Sequence, residues 1–388
     1  MMVQMGSLRS SFLLVSEVIF LNHGSFGAVP LPVMDVYQGW QREMEKQPVE
    51  FLGRKITSHL AKARDAIGEY LHTDKDNLVF VPNTTHGINI VARSLHLSPG
   101  DEILTSDHEY GAMDRTWRFL NKKSGAIYKQ HRVALPVDDP DEFVDAFFSD
   151  VGPRTRVIFL SHITSPTAII FPIREICHRA RELGILTVID GAHAPGQIPL
   201  DLDDLQADFY SGNFHKWLCA PKGAAFLFAR PQVQKIIEPL AVSWGYEADV
   251  PGPSTFQDVL EWTGTQDFSA YLSVPAAIEY QATNEWRSVQ LACHDLAAQN
   301  LECWRKISKL PQLYTSDRWF AQMAALPVPT TYPAAKLKSL LMDKYQIEIP
   351  VIEWEDRMFL RLSVQAYNTG QEMDYLIRTL CELFNFHA

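Results

Sequence analysis

Residues 185–190 read Ile185-Leu186-Thr187-Val188-Ile189-Asp190, a short apolar run that ends on a carboxylate. A run of this length and composition is typical of a strand buried on both faces of a parallel sheet. An amphipathic segment at 173–183 precedes it and is followed by Gly184, which predicts a helix ended by a glycine cap. A helix that leads into a buried strand is the repeating unit of an α/β fold.

The same alternation extends from residue 77 to residue 229 and predicts a mostly parallel sheet between helices. The predicted strands are 78–81, 102–105, 127–135, 157–161, 185–190, 209–211 and 224–228, and the predicted helices are 85–95, 110–122, 140–148 and 173–183. Beyond about residue 270 the sequence predicts long helices, then strand segments at 346–352 and 359–364 and a last helix at 371–386. We therefore expect an N-terminal segment (1–70) that packs on both domains, a large α/β domain (71–265) and a smaller C-terminal α+β domain (266–388).

Composition excludes several classes of protein. The 388 residues are 46% hydrophobic and 21% charged, which is an ordinary globular balance. The 46 acidic residues exceed the 35 basic ones, giving a formal charge of -11, so we expect no nucleic-acid partner. No run approaches the roughly 20 apolar residues of a membrane helix. The five cysteines are scattered, which fits a reducing, cytoplasmic location.

Polar residues follow two of the predicted strands, where ligands bind in open α/β sheets. Asp190 ends one strand, and a buried carboxylate there needs a cationic partner. His193 follows three residues later, and His215 lies after the next strand. These three side chains could also form a metal triad. That interpretation leaves the neighbouring Lys216 and the loop after residue 81 unexplained.

Lys216 stands in the apolar and aromatic sequence Ser211-Gly212-Asn213-Phe214-His215-Lys216-Trp217. Desolvation there would lower the pKa of its amine and make it a usable nucleophile, which suggests a Schiff base. Lys222 is the competing amine, but Pro221 and Gly223 on either side predict a solvated turn.

The loop Val81-Pro82-Asn83-Thr84-Thr85-His86 carries a predicted strand into a predicted helix. Free backbone N–H groups at a helix N-terminus, with threonine hydroxyls beside them, form an anion site suited to phosphate. A phosphate site, an acid and a lysine are thus expected at one edge of the sheet.

Together these segments resemble the class V aminotransferases of the fold-type I pyridoxal 5'-phosphate (PLP) enzymes, and within them the isopenicillin N epimerase-like branch. The resemblance runs from Leu21-Asn22-His23-Gly24-Ser25-Phe26-Gly27 to Arg361-Leu362-Ser363 and Tyr367-Asn368-Thr369. It implies the fold-type I PLP-dependent transferase fold, with a mostly parallel sheet in the large domain, and PLP as the cofactor.

The resemblance also implies roles for individual residues. Lys216 would form the Schiff base, and Asp190 would pair with the pyridine nitrogen and keep the ring an electron acceptor. The phosphate would be held by Thr84, Thr85, His86, Asn213 and His215. His193 would bond the ring hydroxyl. Tyr110 matches the ring that stacks on the cofactor, with His108 as its competitor.

On the substrate side, Arg361 matches the residue that binds the α-carboxylate, for which a planar guanidinium is well suited. Asn22 and His23 are assigned to the same side, and Tyr110, His108 and His23 are the candidates for a second acid. The segment 262–267 resembles one that reaches the partner subunit's cofactor. We therefore expect a homodimer in which Thr265 lies near that cofactor.

The sequence thus predicts a PLP-dependent enzyme that acts at the α-carbon of an amino acid, as an epimerase or an aminotransferase. The alternatives are a carbon–sulfur lyase of the cysteine or cystine type and a non-catalytic PLP-binding protein. No cysteine stands between Arg361 and Thr369, which argues against a desulfurase that carries sulfur on a cysteine in this loop.

Overall fold

A computed structural model describes residues 6–387 of the chain and contains twelve strands in that range. The strands are β1 (Ile19–Phe20), β2 (Leu78–Val81), β3 (Glu102–Ser106), β4 (Ile127–His131), β5 (Thr155–Ser161), β6 (Leu186–Asp190), β7 (Phe209–Asn213), β8 (Ala225–Ala229), β9 (Met323–Val328), β10 (Ile347–Glu348), β11 (Val351–Trp354) and β12 (Arg357–Ser363).

The helices surround these strands. They are α1 (His23–Phe26), α2 (Leu31–Lys46), α3 (Pro48–Glu50), α4 (Ile56–Leu71), α5 (Thr84–Ser94), α6 (Gly111–Ser124), α7 (Pro140–Phe148), α8 (Ile173–Glu182), α9 (Leu202–Leu205), α10 (Pro231–Gln234), α11 (Thr255–Glu261), α12 (Ser269–Leu272), α13 (Val274–Thr283), α14 (Trp286–Ser308), α15 (Ala334–Tyr345) and α16 (Gly370–Phe384). Among residues 6–387, no helix combines the length and the apolar character needed to cross a bilayer.

Seven strands form the central sheet in the order β2-β8-β7-β6-β5-β3-β4. Strand β8 runs antiparallel to both neighbours, and the other pairs are parallel. The apolar run of β6 is buried between helices on both faces, as its composition predicts. Its register pairs Asp190 with Ser161 on one side and with Ser211 on the other, so the polar strand ends meet at one edge. The predicted α/β class is confirmed.

A second sheet has the antiparallel order β11-β12-β9 and places Arg361 opposite Ala325. Strand β9 corrects the prediction, which assigned helices to this part of the chain. Its sequence contains Ala324, Ala325 and Pro327, which disfavour strands, yet β9 lies at the sheet edge, where proline is tolerated. The predicted strand 346–352 is two strands, β10 and β11, with Pro350 between them.

The N-terminal segment contacts both parts of the molecule. Strand β1 pairs in parallel with β10, and helix α4 packs on α13. On the other side, Gly27 (φ 68°) lies so close to the lysine loop that a Cβ atom there would overlap the His215 carbonyl oxygen. The N-terminal segment therefore has contacts on either side of residue 265. The domain boundaries at residues 70 and 265 stay predictions.

Candidate functional site

A cavity of about 450 Å³ opens at the carboxyl ends of the central strands. It is where the sequence predicts ligand binding, at the ends of β2, β6 and β7. Eight of the predicted site residues line it: Thr84, Thr85, Tyr110, Asp190, His193, Asn213, His215 and Lys216.

Asp190 is a buried carboxylate that forms no direct ion pair among the described residues. Its side chain is 4% exposed and accepts a hydrogen bond from the Ala192 N–H at 2.9 Å. Desolvation raises the pKa of Asp190, while the Lys216 charge lowers it in part. A cationic ligand group beside Asp190 would offset this desolvation.

Lys216 and His193 face each other in the cavity, with Nζ and Nε2 3.2 Å apart. The indole N–H of Trp217 donates to His193 Nδ1 at 3.3 Å, so a neutral His193 carries its proton on Nε2 and donates it to the amine. Burial and nearby charges hold the pKa of His193 well below its usual range. Burial, together with Arg361, lowers the pKa of Lys216 to about 7. The neutral amine needed for nucleophilic attack is therefore abundant near pH 7.

His23 lies behind the lysine loop and does not line the cavity. Its Nδ1 is bonded to the Tyr367 hydroxyl and its Nε2 to the Lys216 carbonyl oxygen, both at 2.9 Å. Burial lowers the pKa of His23 to about 3. The structure thus places His23 where it fixes the lysine backbone, whereas the sequence assigned it to the substrate.

The N-terminus of α5 forms one wall. Two of the amide groups that the sequence left free for an anion are already bonded: the Thr84 N–H donates to Asn213 Oδ1, and the His86 N–H donates to Asn83 Oδ1, both at 2.9 Å. The buried Thr84 hydroxyl has no partner among residues 6–387. What remains for an anion are the hydroxyls of Thr84 and Thr85 and the Thr85 N–H.

The two predicted phosphate histidines differ in position. His215 lines the cavity, its Nδ1 lies 3.3 Å from the Ala224 carbonyl oxygen, and burial lowers its pKa to about 4. His86 is half-buried on the first turn of α5 and is not part of the cavity wall.

Tyr110 and His108 are separated by the structure. The Tyr110 ring lines the cavity and is 46% exposed. His108 is fully buried outside the cavity, bonded through Nδ1 to the Thr167 hydroxyl at 2.7 Å and packed against Trp354. Burial lowers the pKa of His108 to about 3. The geometry therefore favours Tyr110 over His108 as the ring beside a bound cofactor.

Arg361 is a buried cation, 5% exposed, that has only neutral partners in the described chain. Nη1 donates to the Ser165 carbonyl oxygen at 2.7 Å and to the Ser165 hydroxyl at 3.1 Å, and Nη2 donates to the Ser25 hydroxyl at 2.9 Å. Its Nε–H has no acceptor among the described residues. Burial lowers the pKa of Arg361 to about 10, so the group stays charged. A buried charge with unused donors beside a cavity suits a carboxylate ligand.

Three further predicted residues lie outside the cavity. The Asn22 side chain is bonded to Ser25 and Glu348 and does not reach the cavity wall. Thr265 is exposed on the surface. The competing amine, Lys222, belongs to an exposed residue and donates to the Gly27 carbonyl oxygen at 3.2 Å. Within residues 6–387, no cluster of three or more His, Cys, Asp or Glu side chains has metal-binding geometry.

Sequence reasoning missed the serines of the site. Ser25 and Ser165 line the cavity and hold Arg361, and Ser161 lines it beside Asp190. Ser161 could have been found, because it ends a predicted strand next to β6. The partners of Arg361 could not, since they are 196 and 336 residues distant in the sequence.

Sequence reasoning also missed Glu109. It is a buried carboxyl that accepts hydrogen bonds from Ser106 and from Ser161 of the cavity wall. Burial raises the pKa of Glu109 to about 8.

Comparison with known proteins places this cavity in context. A sequence model described as Aminotransferase class-V matches residues 27–376. Isopenicillin N epimerase of Amycolatopsis lactamdurans is 36% identical over 390 residues, covering 97% of each chain, and that of Streptomyces clavuligerus is 34% identical, covering 96% of each. A putative L-cysteine desulfhydrase of Oryza sativa subsp. japonica is 27% identical and covers 92% of this chain and 81% of its own.

Solved structures share the fold. The complex between the cystine C-S lyase C-DES and its reaction product cysteine persulfide superposes with a TM-score of 0.82 at 22% identity, over 95% of this chain and 98% of that one. At 22% identity, this similarity shows a shared fold alone.

Proposed function

The chain belongs to the class-V aminotransferase family and is a PLP-dependent enzyme, and we propose that it epimerises the α-carbon of an amino acid, as an isopenicillin N epimerase does. The observation that carries the proposal is the Lys216 amine, which is buried, lines the cavity together with Asp190, and has its pKa lowered by burial and by the charge of Arg361. The full-length similarity to two isopenicillin N epimerases favours epimerisation over amino transfer, which is the other outcome open to the same site.

The described residues fit PLP through their uncompensated groups. The Asp190 carboxylate would face the ring nitrogen, and the His193 Nε2–H would face the ring hydroxyl. The unpartnered Thr84 hydroxyl, with Thr85 and His215, would hold the phosphate. Bound PLP supplies an electron sink that stabilises negative charge at the substrate α-carbon.

Two residues move the proton in this proposal. Lys216 Nζ would hold the cofactor and, as a free amine, would take the proton from the substrate α-carbon, for which a pKa of about 7 is well suited. Of the three candidates for the second acid, Tyr110 lines the cavity, whereas His23 and His108 are buried elsewhere. We assign the return of the proton to the Tyr110 hydroxyl. Arg361 holds the α-carboxylate while both steps occur.

The test is a substrate panel in deuterium oxide. The PLP-loaded protein is incubated with isopenicillin N and with simple L-amino acids, and chiral separation and mass spectrometry measure inversion and α-deuterium. Inversion with one deuterium incorporated is expected. An amino acid that exchanges its proton without inverting, or that passes its amino group to an added α-keto acid, would contradict epimerisation.

A carbon–sulfur lyase is the second candidate, because the L-cysteine desulfhydrase relative covers most of the chain. Incubation with cysteine and cystine separates the two: release of pyruvate without α-carbon inversion favours the lyase. A third outcome, PLP bound to Lys216 with no α-proton exchange for any amino acid, would identify a non-catalytic PLP-binding protein.

We propose that the protein is a homodimer in which Thr265 approaches the partner subunit's cofactor. Thr263 and Thr265 are exposed and have no role in their own cavity. The preceding segment exposes Trp244 and Val250 (83% and 88%), which a second copy would cover. Sedimentation velocity of the wild type and of Trp244→Glu tests this proposal, with a dimer expected for the first and dissociation for the second. A monomeric wild type would overturn it.

We also propose a cytoplasmic location, supported by five cysteines that are all free thiols.

A further inference from the structure

A relay of three hydrogen bonds connects Arg361 to a distant carboxylate. Arg361 Nη2 donates to Ser25 Oγ at 2.9 Å, Ser25 Oγ donates to Asn22 Oδ1 at 2.5 Å, and Asn22 Nδ2 donates to Glu348 Oε1 at 2.8 Å. We propose that Glu348, acting through Asn22 and Ser25, is a positioning residue that holds the Arg361 guanidinium ready for the α-carboxylate of the substrate. This inference rests on the proposed function.

The chemistry of the groups gives the relay a single direction. Arg361 can only donate and the Glu348 carboxylate can only accept, so the Asn22 nitrogen donates to Glu348 and the Asn22 oxygen accepts from the Ser25 hydroxyl, which in turn accepts from Arg361. The Asn22 amide then presents its oxygen to a hydroxyl and its nitrogen to a carboxylate, so both ends are satisfied in one orientation. The relay begins on a cation and ends on an anion, and every dipole between them points the same way.

The fold explains why these residues meet. Glu348 lies on β10, paired in register with Phe20 of β1, and Asn22 follows two residues later. Asn22 also forms a bridge with Ser363, which is on the same strand as Arg361. The pairing of β1 with β10 therefore places the Asn22 side chain between the Glu348 carboxylate and strand β12, which carries Arg361.

The relay leaves part of the guanidinium available. Both Nη1 hydrogens are used by Ser165, and one Nη2 hydrogen is used by Ser25. Among the described residues, the Nε–H and the second Nη2 hydrogen have no acceptor, and a bidentate carboxylate takes two such donors. Glu348 forms no salt bridge within residues 6–387, so its charge is not neutralised elsewhere in that range. Glu348 thus positions the Arg361 guanidinium through Asn22 and Ser25 and leaves the two remaining donors to the substrate carboxylate.

The experiment compares two ligands that differ only in the carboxylate. Dissociation constants of an amino acid substrate and of its carboxamide are measured by absorbance titration of the PLP-loaded wild type, Glu348→Ala and Glu348→Gln. Glu353→Gln, which removes a charge from the neighbouring strand β11, is the matched control. Thermal unfolding of the PLP-free proteins shows whether each variant is folded.

We expect Glu348→Ala to weaken binding of the amino acid by about 5- to 30-fold, since one charge-assisted hydrogen bond is lost, while carboxamide binding stays constant. Glu348→Gln keeps an acceptor for Asn22 and should lose less. Equal losses for both ligands, or no loss, would overturn the inference and leave the proposed function standing. A wild type that binds neither ligand would instead overturn the proposed function and this inference with it.

Discussion

The indole N–H of Trp217 donates to Nδ1 of His193 at 3.3 Å and thereby decides which nitrogen of that imidazole carries the proton. The proton is on Nε2, and this nitrogen lies 3.2 Å from Lys216 Nζ. A donor on Nε2 requires an amine that can accept, which is the neutral form of Lys216. The tautomer of His193 and the lowered pKa of Lys216 are thus consistent with each other.

This pairing predicts how the apoprotein captures PLP as pH changes. The rate constant should rise as pH increases through about 7 and level off above about 8, because the pKa of Lys216 lies near 7. An ordinary lysine would show a rate that still rises toward pH 10. Stopped-flow absorbance at a series of pH values measures the profile.

The same pKa has a consequence for stability. The folded pKa of Lys216 lies below the unfolded value, so the unfolded chain binds more protons between about pH 7 and pH 10. The contribution of Lys216 to the free energy of unfolding therefore becomes more favourable as pH rises through this window. Lys216→Met should remove that contribution, and equal pH slopes for the two apoproteins would contradict it.

Lys216→Ala should remain folded and bind PLP without a covalent bond. It should form no borohydride-reducible adduct, because the amine in the cavity is gone. Lys222→Ala is the matched control, since that amine donates to the Gly27 carbonyl oxygen and lies outside the cavity wall. Mass spectrometry after reduction measures both. A full adduct in Lys216→Ala would move the assignment to another lysine.

Asp190→Asn should have opposite effects on the two forms of the protein. Burial raises the pKa of this carboxylate in spite of the Ala192 N–H and the nearby Lys216 charge, so its ionisation costs stability in the apoprotein at pH 7. Apo Asp190→Asn should therefore unfold at the same or a higher temperature than the wild type. Its dissociation constant for PLP should rise about 10- to 100-fold, as for the loss of a charged hydrogen bond. Calorimetry and equilibrium dialysis measure the two effects, and unchanged PLP affinity would contradict the role of Asp190.

Tyr110→Phe and His108→Gln separate the two candidate rings. Tyr110→Phe should keep the ring in the cavity and lower inversion about 10²-fold or more, since a proton donor is lost. His108→Gln should instead lower the thermal stability, because a fully buried ring bonded to Thr167 is replaced, with inversion of the folded fraction nearly unchanged. The reverse pattern would reassign the acid to His108.

Arg361→Lys and Arg361→Ala test the carboxylate site. Arg361→Ala should raise the KM for the amino acid by about 10²-fold, because a buried bidentate pair is lost. Arg361→Lys should recover little, since a single ammonium cannot reach Ser25, Ser165 and the substrate together. Steady-state kinetics with the amino acid measure both variants. An unchanged KM in both would remove Arg361 from the substrate site.

The central sheet could be predicted because its signals are local. The run ending at Asp190 has the length and apolar composition of a buried strand, and α7 has the predicted bounds 140–148, with Asp139 as its cap. Strand β9 could not be predicted, because Ala324 and Ala325 favour a helix and only pairing with β12 makes this segment extended.

The candidate site divides in the same way. Lys216 follows a strand closely and could be placed from the sequence alone. The orientation of His23 could not, because its partners Lys216 and Tyr367 are 193 and 344 residues away. His108 and Tyr110 are only two positions apart in the sequence, and the sequence could not show that His108 is buried outside the cavity while Tyr110 lines it.

The contacts of His23 with the Lys216 carbonyl and of Ser25 with Arg361 also constrain the order of folding during translation. These contacts span 193 and 336 residues, so His23 and Ser25 are synthesised long before their partners Lys216 and Arg361. The strands of the central sheet can assemble earlier, from neighbours in sequence. Competence to bind an amino acid is therefore acquired only after Arg361 has been synthesised, later than the strands of the central sheet.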